Sequence, residues 1–258
     1  PYVAENLGKK VTMIFPDFAF GHDHRDFFTA AIEAQGGEVL EHIAVPPAET
    51  SFTKYFPKIP RDTEVLYHVM VGPAVLTFVK ELGEFFGPSS PAIFGFIDSL
   101  EAVDLASPGL EFLEGTYFWE GNPRYAQDDQ TSYDKNFRAA VGVDENGASV
   151  SDASDVSTYA HMFGCWETLH IIKAGMESAG YQGPEDRQKL IEATEAMSEM
   201  EESDAHPQGP KVFNGKTHQA FGVQYISRVE NGRLVKVHTT SIEDTMYPDE
   251  VDYTTQSF

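Results

Sequence analysis

The sequence predicts an α/β protein with a doubly wound parallel sheet. Three observations carry that expectation. Short apolar runs rich in β-branched and aromatic residues recur from Val11 to Trp119. Stretches with apolar residues at helical spacing separate them, and Gly or Pro marks the changes of pattern. Strands alternating with helices need a sheet whose faces the helices cover.

Pro1–Val45 reads as a strand, a helix and a strand. Val11–Phe15 is apolar and β-rich, and Pro16-Asp17 signals a turn. Phe27, Phe28, Ala31 and Ile32 then recur at helical spacing until Gly36-Gly37 stops the helix. Glu38–Val45 is the second strand. Ser51–Ile59 is expected to be a short helix with Phe52, Tyr55 and Phe56 on one side. Thr63–Val71 is the third strand, and Gly72-Pro73 opens a helix over Ala74–Phe86. Pro91–Ile97 and Gly115–Trp119 complete the series.

Beyond Gly121-Asn122-Pro123 the pattern turns helical, over Tyr125–Val141, Val156–Ala179 and Pro184–Met200, with a polar loop across 143–155. The middle helix is apolar around much of its circumference and requires cover on several sides. No strand is evident between these helices. The last section returns to β: Ala220–Arg228 and Arg233–His238 flank Glu230-Asn231-Gly232, the strongest hairpin signal in the chain. The acidic tail from Ile242 is expected to be irregular.

At 41% hydrophobic and 12% aromatic residues among 258, there is material for a packed core. The longest apolar runs fall far short of a membrane span, so direct membrane insertion is not expected. Against 18 Lys and Arg stand 41 Asp and Glu, and the net charge of −23 repels phosphate backbones and anionic lipid, so nucleic acid is not an expected partner. The one cysteine, Cys165, rules out an internal disulfide and a Cys-based zinc cluster. No Gly-x-Gly-x-x-Gly, Walker A, Gly-x-Ser-x-Gly or His-Glu-x-x-His pattern occurs, and neither an enzyme nor a cofactor is expected. Pro1 follows no initiator Met, basic n-region or apolar h-region, so the sequence is expected to start at a processed or truncated point.

Lys9–Gly21 is similar to the opening of the second lobe of type I periplasmic solute-binding proteins, in particular the branched-chain amino-acid (Leu/Ile/Val) binding proteins of ABC transporters. Ser51-Phe52-Thr53-Lys54 resembles that family's Asp-Phe-Ser segment, and Leu113-Glu114-Gly115-Thr116-Tyr117 its Ala-Glu-Gly-Val-Tyr strand. Thr158-Tyr159-Ala160 resembles the start of its long helix, and Gln208–Gly215 with the hairpin at Glu230-Asn231-Gly232 its closing section. These matches run in order over nearly the whole chain.

The resemblance implies two α/β lobes joined by three hinge crossovers. The second lobe would be nearly complete at 1–121. Helices and loop of the first lobe would lie at 122–217, with a return to the second lobe at 218–258. The opening half of the first lobe, on the order of a hundred residues, would be missing. The implied function is that of a periplasmic component capturing an amino acid or related organic solute in the cleft between lobes by hinge closure. ABC permease subunits in the membrane would be its partners. A ligand-sensing regulator or receptor domain on the same fold is the alternative, and an α/β enzyme with an unrecognised site is a third reading.

In an open α/β sheet, ligands bind beyond the carboxyl ends of strands. Those ends are Asp17–Phe20, Met70–Pro73 and Phe96–Asp98, and the candidate ligand-binding residues are Phe18, Phe20, Met70, Val71, Phe96, Asp98 and Trp119. By the resemblance, Phe20 stands where the family often has the Tyr of a Tyr-Gly turn, keeping an aromatic wall without the hydroxyl. Val71 falls near a position where amino-acid binders place an aromatic. Asp98 lies close to the acid that clamps the ligand's ammonium. The departures at Phe20 and Val71 point away from a standard branched-chain amino acid. Phe18, Phe20, Phe96 and Trp119 suggest an apolar or aromatic component.

Each candidate also has a purely structural reading. Asp98 and Glu101 form a capping pattern, Phe20 suits a core aromatic, and Phe118 with Trp119 suits hinge packing. His22-Asp23-His24 invites a metal, but two His spaced by one residue at a helix start do not share a face, so a solvated turn and no metal site are expected. Glu167 and His170 read as a helix surface pair. Cys165, mid-helix among apolar residues, reads as packing.

Overall fold

The run Lys10–Pro16 forms the strand on which the largest sheet is built, and Val11, Met13 and Ile14 along it are sealed from solvent. The computed structural model describes residues 1–87, 90–96, 100, 103–155 and 159–256. In chain order its first elements are α1 (Tyr2–Asn6), β1 (Lys10–Pro16), α2 (Ala19–Ala34), β2 (Glu38–Val45), β3 (Val65–His68), α3 (Val75–Phe86), β4 (Ala92–Phe96) and β5 (Tyr117–Glu120). There follow α4 (Ser132–Val141), α5 (Tyr159–Ala179), α6 (Arg187–Glu195), β6 (Glu199–Met200), β7 (Lys211–Asn214), β8 (Gln219–Gly222), β9 (Tyr225–Glu230) and β10 (Arg233–Thr239).

The chain divides into two units, Pro1–Glu120 with Ile226–Val237, and Gly121–Tyr225 with His238–Phe258. The first holds a seven-stranded sheet in the order β10-β9-β5-β4-β3-β1-β2. Its pairs β1/β2, β1/β3, β3/β4 and β4/β5 are parallel. This is the doubly wound α/β architecture expected. β1 lies between β2 and β3, so the connections leave it in opposite directions and a crevice opens beyond the carboxyl ends of β1 and β3.

Local chemistry sets the approach of α2 to that crevice. A Cβ on Gly21 would meet the Pro16 carbonyl oxygen at 2.0 Å, so only glycine lets the first turn of α2 lie against the end of β1. At the far edge, Asn231 and Gly232 have φ of 53° and 72°, the left-handed pair that a two-residue turn between β9 and β10 demands.

Several expected elements differ. Ser51–Ile59 is not a helix but a turn with one 3₁₀ segment at Phe56–Lys58. Pro57 lies inside it and supplies no amide for a helix interior, and the Glu81 carboxylate anchors the start of the segment by accepting from the amides of Phe52 (2.6 Å) and Thr53 (3.1 Å). The helix expected from Tyr125 begins at Ser132, with Thr131 as its N-cap accepting from the Asp134 amide at 3.2 Å. Upstream, the carbonyls of Pro123 and Arg124 bond the buried Arg138 guanidinium at 3.0 and 2.9 Å, so that stretch is held open.

In the second unit, α6 ends at Glu195, short of the expected Met200, and Glu199–Met200 starts a three-stranded sheet in the order β6-β7-β8, with antiparallel pairs. The run expected as one strand over Ala220–Arg228 is therefore two, because Gln219–Gly222 pairs with β7 and Tyr225 begins β9. α1 was also not anticipated. Among the described residues, no helix is long and apolar enough to cross a membrane.

Candidate functional site

Beyond the carboxyl ends of β1 and β3, within the first unit, lies a cavity of about 230 Å³. Pro16 and Phe18 come to it from β1, Pro46–Thr50 from the end of β2, Met70 and Val71 from β3, and Ala74 and Val75 from the start of α3. Phe52 closes its wall from the segment that Glu81 anchors. The topology thus gathers three strand ends and one helix start around one space.

Three of the residues singled out from sequence meet here: Phe18, Met70 and Val71. Phe18 is 42% exposed, whereas Met70 is buried. Phe20, Phe96 and Trp119 fall in a second group on the α2 face. Phe96 stacks on Trp119 at 4.4 Å between centroids, and Phe20 lies 6.1 Å from Phe96. Phe18 stacks on Phe20 at 6.0 Å and so joins the two groups. All three rings of the second group also pack against the main core, so site and core readings coexist for them. Asp98 lies outside the described residues.

The aromatic group is held by a hydrogen-bond chain. The Tyr67 hydroxyl accepts a bond from Trp119. It also lies 3.0 Å from His24 Nδ1, within hydrogen-bond distance. Burial pushes the Tyr67 hydroxyl well above its ordinary pKa and pulls the His24 imidazolium down, with Asp23 opposing the latter. Both groups are neutral at pH 7.

Glu49 is the residue that sequence reasoning missed. Its side chain is 16% exposed, and it lines the cavity. Hydrogen bonds from Lys54 and Tyr55 hold its carboxyl at about 2. The strand-end rule that singled out Phe18 and Met70 would have reached Glu49 had it been applied to the end of β2.

Other candidates resolve into structural roles. His22 pairs with Asp17 at 2.8 Å while His24 turns to Tyr67, so the two rings of the His-x-His run take separate partners. Among the described residues no three His, Cys, Asp or Glu are grouped as metal ligands. Glu167 does not form the expected surface pair with His170. It is buried and pairs with Lys211 at 2.8 Å, and His170 Nδ1 bonds the Trp166 carbonyl at 2.9 Å. Cys165 is exposed and not part of the packing.

Comparison with known proteins decides the family, since the periplasmic binding protein model matches residues 1–233. This chain belongs to the periplasmic binding protein family. A curated relative, the Leu/Ile/Val-binding protein homolog 6 of Brucella abortus (strain 2308), is 27% identical over 229 residues. That match covers 86% of this chain and 53% of the relative, so the chain spans about half the length of the curated relatives it matches.

Solved structures share the fold. The solute-binding protein of an ABC transporter from R. palustris, in complex with 4-hydroxybenzoate, superposes with a TM-score of 0.74 at 22% identity, covering 93% of this chain and 62% of that one. An ABC transporter substrate-binding protein from Sphaerobacter thermophilus gives 0.76 at 17% identity, with 95% and 64% covered. A branched-chain amino-acid ABC transporter periplasmic ligand-binding protein from Burkholderia xenovorans LB400 gives 0.66 at 18%, with 95% and 62% covered.

Proposed function

We propose that this chain belongs to the periplasmic solute-binding component of an ABC transporter, which captures a small organic solute and delivers it to permease subunits in the membrane. The observation that carries this reading is the cavity beyond β1 and β3, with Phe18, Met70 and Val71 on its wall. It lies where an α/β sheet of this strand order places ligands. Family membership supports transport over catalysis, and the relatives supply the range of solutes to try. One is named for Leu, Ile and Val, and one neighbour was solved with 4-hydroxybenzoate. Phe20, Phe96 and Trp119 continue the apolar wall from Phe18 in this reading, and Asp98 stays a sequence-level candidate.

The test is calorimetry of the purified protein against amino acids and aromatic acids, with thermal melting as a parallel readout. A ligand with micromolar affinity is expected. Phe18→Ala and Met70→Ala should each weaken it by about tenfold, on the order of 1.4 kcal/mol. If no solute from either class raises the melting temperature, the reading is wrong.

A further inference from the structure

The cavity carries a single ionisable side chain on its described lining, that of Glu49. Elsewhere the described wall is Pro16, Phe18, Met70, Val71 and similar apolar residues, with Thr50 as the neutral polar one. A carboxylate in such a place would ordinarily attract a cationic ligand group. This one is already saturated. One oxygen, Oε1, accepts from the amides of Thr50 at 3.1 Å and Ser51 at 3.4 Å. The other, Oε2, takes the Tyr55 hydroxyl at 2.9 Å and Lys54 Nζ at 2.5 Å. Four donors fill the acceptor sites that a carboxylate has.

Charge is balanced as well as geometry. The Lys54 ammonium neutralises Glu49 while its own side chain stays in solvent at 65% exposure. A ligand ammonium entering the cavity would shed its water and find only an anion already paired with Lys54. The start of α3 works in the same direction. Ala74 and Val75 line the cavity, no side chain caps this helix, and its first turn holds no acid. The partial positive charge of its first amides therefore opposes a cation beside them.

We infer that the part of the solute received by this cavity is apolar or aromatic and carries no ammonium group, so that the cavity favours non-amino organic solutes over their α-amino counterparts. The inference rests on the proposed solute-capture function and narrows it. Glu49, with Lys54 and Tyr55, excludes amines in place of clamping them, and the apolar wall supplies the affinity.

The experiment uses matched pairs that differ only in the amine: 3-phenylpropionate against phenylalanine, and 4-methylpentanoate against leucine, titrated calorimetrically into the purified protein. The member lacking the amine should bind at least tenfold tighter in one pair or both. Equal or tighter binding of phenylalanine or leucine overturns the inference while leaving solute capture standing. Lys54→Met combined with Tyr55→Phe frees Glu49, and melting temperature and circular dichroism confirm the fold. That variant should bind the amine-bearing member at least fivefold more tightly than the parent. An unchanged preference would show that the saturated carboxylate is not its cause, which also overturns the inference. Failure of both pairs together with the wider solute panel would instead defeat solute capture itself, and the inference with it.

Discussion

Each of the two units is ordered internally by a different means. In the first, Val11, Met13, Ile14, Val65 and Leu66 fill strands sealed on both faces, and Phe52, Phe78 and Phe118 cover them without solvent contact. The second has a small buried apolar cluster of Phe137, Val143 and Phe163, while Leu169 on α5 is 66% exposed and Ile172 44%. What orders the second unit is buried polar chemistry. Arg138 ties Pro123, Arg124 and Asp144 carbonyls, and Glu167 holds both Lys211 and the Gln208 amide. Gln208 in turn donates to the carbonyls of Gly121 and Val223. An apolar core tolerates small shifts in position, but a buried charge does not tolerate losing its partner.

The largest effects should come from attacking each unit at its own support. Phe78→Ala removes a ring that touches Phe52, Phe56 and His68 and should cost about 3–5 kcal/mol. Glu167→Ala leaves Lys211 buried and unpaired and should cost about 3–5 kcal/mol. The difference between units appears on rescue. Replacing the pair together, Glu167→Leu with Lys211→Met, should recover most of the loss, since burying two charges is itself costly. The chain has two tryptophans, Trp119 in the first unit and Trp166 in the second, so urea unfolding followed in Trp119→Phe and Trp166→Phe backgrounds reads each unit separately. A double variant no more stable than Glu167→Ala would show that packing, not charge burial, supports the second unit as well.

That contrast also explains what the sequence disclosed. The strands of the first unit were legible because burial on both faces writes continuous apolar runs such as Val11–Phe15. The rule that ligands bind beyond the carboxyl ends of strands then singled out Phe18, Met70 and Val71. In the second unit β6 is two residues long and β7 four, too short for any periodicity to register. Lys211 looks like a surface residue until Glu167 from a helix meets it. Pairings between distant charged residues leave no local pattern, and Glu49, with Tyr55 and Lys54 nearby in sequence, was hidden by the expectation of a helix at Ser51–Ile59.

Among the buried polar residues of the first unit, which include Thr12, Thr116, Glu120 and Ser227, His68 makes that unit sensitive to acid. It is fully buried on β3 between Phe78 and Phe118, and neither ring nitrogen has a hydrogen-bond partner among the described residues. A Cβ on Gly95 would approach its Nε2 to 2.5 Å, so the glycine makes room for the ring. Burial pulls its pKa down to about 4. The unfolded chain, with an ordinary value near 6.5, binds the proton that the folded chain refuses. Stability from this group is therefore complete above about pH 6.5 and lost as pH falls towards about 4, a change of about 3 kcal/mol. His68→Leu should flatten the dependence of Trp119-monitored unfolding between pH 4 and 6.5. A slope unchanged by the substitution would place the acid sensitivity elsewhere.

The smallest expected effect sharpens the comparison most. If the second unit is held by Arg138, Glu167 and Lys211, the apolar side chains that α5 leaves in solvent contribute almost nothing to its stability. Leu169→Gln and Ile172→Gln should then each change the free energy of unfolding by no more than about 0.5 kcal/mol, against the several expected at Phe78. Glutamine keeps a helix-compatible unbranched chain, so propensity adds little to the difference. Urea midpoints read through Trp166 measure both. A loss above about 1.5 kcal/mol at either position would mean that these side chains are covered in solution, and the division of labour between apolar and polar supports would fail for α5.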